Sequence, residues 1–309
     1  MEIVDCHCDV LSKIWENNES LYSNRGQFDI KRARQSGVIV QFCSLFAPGT
    51  ADSSLRAVLN QMDKFYVELN LHSDSVYLLS SFGDFMAHRD GQHIGIILHL
   101  EGGEALGQDP GLLRVFYRLG LRSIGLTWNH RNLLADGVLD DASGGGLSMA
   151  GREVVRIAEE LGIIIDLAHI SSRAYFNVLE MVSRPVIVSH ANARRLCDHP
   201  RNLTDEQLIS LAQHGGIVGC TLVPHFIKSS GTGPDLNDFV DHIVYISELI
   251  GVDHVGLGSD FDGVDEPVLT DVGEWGKLQA ALEGRGFSAA EVEKILQSNA
   301  LGVLEQVLR

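Results

Sequence analysis

The sequence predicts an α/β fold, a single (β/α)8 TIM barrel that spans residues 1–309 and is closed by C-terminal helices. Three observations carry this prediction. Short apolar, β-branched runs recur eight times along the chain. Helical patterns fall between them. Histidine and carboxylate residues stand just after the runs, where barrel enzymes place their chemistry.

The runs are residues 2–6, 38–46, 95–100, 123–127, 162–167, 186–189, 216–222 and 254–258. Their near-continuous hydrophobicity suits strands buried on both faces of a parallel sheet. Apolar residues at helical spacing mark 55–71, 111–119, 149–161, 172–182, 204–214 and 236–250. Thr204, followed three positions later by Gln207, has the residue order of a capping box. Residues 288–307 read as two helices closing the barrel. The polar segments 136–148 and 229–234 sit where βα connections belong and are too short for domain linkers. Alternating β and α gives a parallel sheet, and eight repeats close it into a barrel.

Bulk properties narrow the function classes. A chain of 309 residues is long for one domain, but α/β barrels run this long as single units. The formal net charge of -17 repels phosphate backbones and anionic bilayers, which argues against nucleic acid and membrane partners. The five cysteines, Cys6, Cys8, Cys43, Cys197 and Cys220, are odd in number and sit mostly in apolar runs. They read as small buried residues in a reducing compartment. Glu2 and Asp5 stand where a signal peptide would carry positive charge, and no run reaches transmembrane length. The expectation is a cytoplasmic protein.

The polar residues after the strands carry the chemistry. The first run ends in His7-Cys8-Asp9, the third in His99-Leu100-Glu101, and the fourth in Trp128-Asn129-His130. The fifth ends in Asp166-Leu167-Ala168-His169, the sixth in His190, and the eighth in Ser259-Asp260-Phe261-Asp262. Imidazole and carboxylate together are the usual ligands of catalytic zinc. Five or six of them around one rim suffice for two metals, and a carboxylate can bridge such a pair. A single histidine after a strand often only satisfies a loop backbone group. Coincidence across five strands is poorly explained that way. His7 and Asp9 are two apart and share one side of a strand. Asp262, beside a glycine, fits a turn better than Asp260 does. His99 reads as a packing or supporting residue.

These motifs resemble the membrane (renal-type) dipeptidase family, zinc metallopeptidases of the amidohydrolase-like barrels. The matching pieces are Val4-Asp5-Cys6-His7-Cys8-Asp9, Leu100-Glu101-Gly102-Gly103, Asp166-Leu167-Ala168-His169 and Val188-Ser189-His190. Arg201-Asn202-Leu203-Thr204-Asp205, residues 256–263 and residues 299–304 follow in the same order. The resemblance implies a dipeptidase for small L-Xaa-L/D-Xaa substrates, with two Zn2+ ions per chain, a metal-bridging hydroxide and a homodimeric assembly. It implies that His7 and Asp9 bind one zinc, that His169 and His190 bind the other, and that Glu101 bridges both. It makes Asp260 the proton shuttle and Arg201 the holder of the substrate carboxylate, a task that suits the guanidinium fork. One position departs. The family carries a histidine directly after Leu-Thr on strand four, and here Trp128 follows Leu126-Thr127. Either His130 reaches the scissile carbonyl from a shifted backbone, or zinc polarises it alone. Fold and metal cluster leave other readings open: a cyclic amide hydrolase, a deaminase, or a catalytically silent zinc-binding barrel.

Overall fold

The computed structural model describes residues 1–89, 91–229 and 233–308. Of the expected loop over 229–234, residues 230–232 therefore lie outside the described residues. The strands are β1 (Ile3–Asp5), β2 (Val38–Phe46), β3 (Val76–Leu78), β4 (Ile94–Glu101), β5 (Leu121–Gly125), β6 (Ile164–Asp166), β7 (Ile187–Val188), β8 (Ile217–Cys220) and β9 (Val255–Leu257). Eight of them form a closed parallel ring in the order β1, β2, β4, β5, β6, β7, β8, β9. The ring closes where β2 pairs with β4 from Val40↔Gly95 to Phe46↔Glu101, and where Asp5 of β1 faces Leu257 of β9. Each of the eight predicted runs overlaps one of these strands, with β5 starting two residues before its run at 123–127. β3 pairs only with the first residues of β4, Ile94 to Ile96, and flanks the ring. Three residues are too few to show a strand pattern in the sequence.

The helices Met149–Leu161 and Leu236–Ile250 have the predicted bounds, and Thr204 and Gln207 do close a reciprocal capping box. The helices Val10–Asn17, Ile30–Ser36, Phe82–Ala87 and Trp275–Gly284 were not predicted. They have 6 to 10 residues, too short to carry a distinct helical period. The two closing helices, Ala289–Glu293 and Asn299–Val307, are joined through a π-helical turn at Lys294–Ser298.

β4 shows how the barrel sorts its side chains. Successive residues of a strand point to opposite faces. Ile96, Leu98 and Leu100 pack with the surrounding helices. Ile97 packs inside the ring with Val4, Val40, Ile164, Ile187 and Ile217, and with Val303, Leu304 and Val307 of the last helix. That helix therefore covers the N-terminal end of the barrel. By the same alternation His99 and Glu101 face inward, and Glu101 stands at the C-terminal rim.

The rim is drawn tight at Gly258, directly after β9. Its N–H donates to the Cys220 carbonyl at 3.0 Å, and a Cβ there would overlap the Ser189 carbonyl oxygen. Gly258→Ala should lower the unfolding free energy by about 3 kcal/mol or more in chemical denaturation. Gly276→Ala, in a helix with nothing near the added carbon, should cost nothing. A Gly258→Ala protein as stable as the wild type would contradict this packing.

Candidate metal centre

The sequence separates His7, Asp9, Glu101, His169, His190 and Asp260 widely, and the barrel brings them to one rim. His7 and Asp9 follow β1, Glu101 ends β4, His169 follows β6, His190 follows β7, and Asp260 follows β9. His7 Nε2 lies 3.4 Å from Asp9 Oδ2, 3.4 Å from Glu101 Oε2 and 3.7 Å from Asp260 Oδ1. The other Glu101 oxygen, Oε1, lies 3.0 Å from His169 Nε2 and 3.8 Å from His190 Nε2. The two Nε2 atoms are 2.8 Å apart. Glu101 thus turns one oxygen to each of two imidazole sets. The ligand atoms form three overlapping groups, His7–Asp9–Glu101, Glu101–His169–His190 and His7–His190–Asp260, each within 4.8 Å.

A second layer of side chains sets the tautomers. Asn129 Oδ1 lies 2.8 Å from His169 Nδ1, so Nδ1–H donates and Nε2 keeps its lone pair for the centre. Ser189 does the same for His190. Its hydroxyl donates to Asp166 Oδ2 and takes the His190 Nδ1–H at 2.8 Å. Asp166 Oδ1 also accepts from the N–H groups of Ala168 and Ser189, at 2.9 and 2.8 Å. Asp5 mirrors this on the opposite side, accepting from the Ser259 N–H at 2.8 Å and its hydroxyl at 2.6 Å. The Ser44 hydroxyl donates to Asp9 Oδ1. His169 and Asp260 are held at φ of 65° and 63°, a region where non-glycine residues are uncommon outside constrained sites.

The donor set fits divalent metal. His7 is fully buried, yet neither ring nitrogen has a hydrogen-bond partner of good geometry among the described residues. Such an orphan is costly unless something else takes the lone pair. Burial, followed by the Arg201 charge and neighbouring imidazoles, holds His169 well below the ordinary histidine pKa. Burial and the same neighbours, His7 foremost, do so for His190. Both are neutral, as metal ligation requires. Burial lifts Asp260 well above the ordinary carboxylate range, against the pull of His7, and the Asp9 and Glu101 carboxylates add to it. For Glu101, too, burial outweighs His7 and raises the pKa. Three carboxylates crowded together in this way need positive charge among them.

Arg201 is buried beside the cluster. Its Nη2 donates to the His190 carbonyl at 3.2 Å, its Nε has no hydrogen-bond partner among the described residues, and Phe226 lies under its guanidinium at 5.4 Å. Burial lowers its pKa to about 10, and Asp260, Glu101 and Asp166 oppose the shift, so it stays cationic. Arg201, Glu101, His169, His190, Asp9 and Asp260 all line one cavity of about 760 Å³.

His130 is placed elsewhere. Its side chain is 68 % exposed and faces Asp140 at 3.4 Å. It borders a neighbouring cavity of about 580 Å³. The backbone does not shift it inward: Asn129 occupies the inward position through its contact with His169. Trp128 holds the position after Leu-Thr, 6.1 Å from the His169 ring between centroids. His99 supports from within the barrel, with Nδ1 2.9 Å from the Ser123 hydroxyl and Nε2 3.4 Å from Asp166. Asp262 spends its carboxylate on the N–H groups of Gln27 and Phe28, at 2.6 and 3.2 Å, a turn-stabilising role. Sequence reasoning did not single out Ser44, Asn129 or Ser189. Ser189 carried a signal, standing directly before a candidate ligand on the strand. Ser44 and Asn129 carried none.

The sequence profile described as "Membrane dipeptidase (Peptidase family M19)" matches residues 1–309. The chain is 33% identical over 295 residues to dipeptidase tcpJ of Claviceps purpurea, covering 91% of this chain and 69% of that one. It is 34% identical over 310 residues to dipeptidase aclJ of Aspergillus oryzae, covering 94% and 72%. Among solved structures, dipeptidase AC, a metallopeptidase of family M19, superposes with a TM-score of 0.94 at 26% identity over 100% and 99% of the two chains. A Rhodobacter sphaeroides metallopeptidase liganded with a phosphinate mimic of the dipeptide L-Ala-D-Ala superposes at 0.93 with 25% identity, over 99% of both.

His99, beneath the cluster and in ring contact with His7, gives the fold a pH dependence. Burial lowers its pKa to about 4, Asp166 partly opposing. Below about pH 6.5 the unfolded chain takes a proton that the folded state refuses, so this component of stability is lost as pH falls toward 4. His99→Gln removes the component. In the metal-free protein, the fall in unfolding free energy between pH 7 and 4.5 should then be smaller than in the wild type by roughly 2–3 kcal/mol. Equal pH dependence in the two proteins would contradict the assignment.

Proposed function

The chain belongs to the membrane dipeptidase family, and on that premise we propose that it hydrolyses small L-Xaa-L/D-Xaa dipeptides with two zinc ions per chain. The observation that carries this reading is the placement of Glu101 between two imidazole sets, with the buried cation Arg201 in the same cavity. His7 and Asp9 would hold one ion, His169 and His190 the other, and Glu101 would reach both. When bound, the ions would make hydroxide available near neutral pH by lowering the pKa of a water molecule, and would polarise the scissile carbonyl. The similar Rhodobacter sphaeroides metallopeptidase, whose ligand mimics L-Ala-D-Ala, supports both the dipeptide and a D-residue at its second position.

The chain's own residues supply binding and proton transfer. Arg201 receives the terminal carboxylate of the dipeptide; its unpartnered Nε and its buried charge suit a desolvated anion. Asp260, raised in pKa among the other carboxylates, accepts the proton of the attacking water and passes it to the leaving amine. One water is consumed and two amino acids are released. Asp9 and Asp260 stay in register through the His7 ring, which faces both. We place the protein in the cytoplasm, a reading supported by five buried cysteines, all of them free thiols.

Asp260→Asn should keep metal content close to the wild type and lower kcat at least 100-fold, in line with general acid–base contributions. Turnover retained in that variant would remove Asp260 from the mechanism. Arg201→Ala should lower kcat/KM for a free dipeptide at least about 30-fold, the cost of unpairing a buried charge. Its effect on the C-terminally amidated analogue should be much smaller. An equal loss on both substrates would contradict the carboxylate role.

A further inference from the structure

We infer that Trp128 and Phe46 form the subsite for the N-terminal side chain of the dipeptide and give the enzyme a preference for bulky apolar residues there. The inference rests on the reading of Arg201 as the carboxylate holder.

The barrel order fixes the direction of the substrate. Arg201 lies in the loop after β7, and in the eight-membered ring β7 stands opposite β2. A dipeptide with its carboxylate on Arg201 and its amide over the central cluster points its N-terminal residue toward the β2–β5 side of the rim. Phe46 is the last residue of β2, and Trp128 follows β5. Both line the main cavity together with Pro48 and Ala57, so this part of the wall is largely apolar. The charged lining residues Lys13 and Glu16 belong to the helix after β1, and Asp262 and Asp265 to the loop after β9.

The two aromatic rings contact each other, with centroids 5.4 Å apart and planes at 58°. Neither is fully buried, so each keeps apolar surface facing the cavity. Large apolar surface left at a concave site marks a place for an apolar partner. Trp128 also borders the second cavity, of about 580 Å³, which contains Glu104. Burial raises the Glu104 pKa, with Asn132 opposing. The indole therefore stands between the substrate cavity and the second one. A histidine after Leu-Thr would put a polar ring where this chain has an indole.

The test compares kcat/KM for Leu-Ala, Phe-Ala and Gly-Ala in the wild type, Trp128→Ala, Trp128→Phe, Trp128→His and Phe46→Ala. Metal content is measured for each protein. Buried methylenes discriminate substrates by about 10–200-fold each, so the wild type should favour Leu-Ala over Gly-Ala at least tenfold. Trp128→Ala and Phe46→Ala should each reduce that ratio at least fivefold, mainly through KM. Trp128→Phe, which retains a ring, should keep most of it. A wild-type ratio near one, or a ratio unchanged in both alanine variants, would overturn the inference. So would a Trp128→His variant that turns over all three substrates faster with the ratio unchanged, because the position would then act on the carbonyl. A wild type that binds metal and cleaves no dipeptide would instead overturn the underlying dipeptidase reading. Binding of phosphinate mimics with Gly or Leu at the N-terminal side gives an equilibrium check, and their affinity ratio should move as the kinetic ratio does.

Discussion

Glu101 joins two halves of a site that the chain draws from five strand ends. One oxygen faces His7 and the other faces His169, in a place where solvent is nearly excluded. Asp9 and Asp260 crowd the same space, and Arg201 is the cation beside them. Removing ionised carboxylates from water costs several kcal/mol each unless opposite charge meets them. One guanidinium does not balance three carboxylates. Two divalent cations would, and one of them would also take up the lone pair of His7, whose ring otherwise lacks a partner among the described residues. The rest of the rim serves this constraint. Asp166 works through Ser189 to hold His190, Asn129 holds His169, and Asp5 ties the end of β1 to Ser259 after β9.

The barrel makes the cluster possible because its strands are parallel and closed. All C-terminal ends meet at one rim, and inward alternation along β4 delivers His99 and Glu101 in succession to the interior. The opposite end is covered by the helix Asn299–Val307. The apolar layer beneath the site is thus covered by that helix, and the polar layer above it opens into a substrate-sized cavity. Chemistry and stability occupy different ends of the same strands.

Much of this was legible in the sequence, for physical reasons. Eight buried strands announce themselves as apolar runs because both faces are covered. His7, Asp9, Glu101, His169, His190 and Asp260 stood out because titratable groups at strand ends are costly without a partner. What the sequence left dark depends on local backbone and side-chain direction. His130 and Asn129 are adjacent, and only the conformation of the loop decides that Asn129 faces His169 while His130 faces Asp140 and solvent. Ser44 supports Asp9 from a neighbouring strand, a contact across 35 positions that no local pattern encodes. The flanking strand β3 and the short helices at 10–17 and 30–36 gave too few residues for a period to emerge.

A binuclear metal centre at this rim would need its ions to cleave dipeptides. Its most direct test is metal content paired with activity, on protein purified without chelator. About two zinc ions per chain are expected, one for each imidazole set in two-metal chemistry. Dipeptide hydrolysis should be lost on chelation and restored by zinc. Protein that binds no metal, or whose hydrolysis is unchanged by complete metal removal, would contradict it.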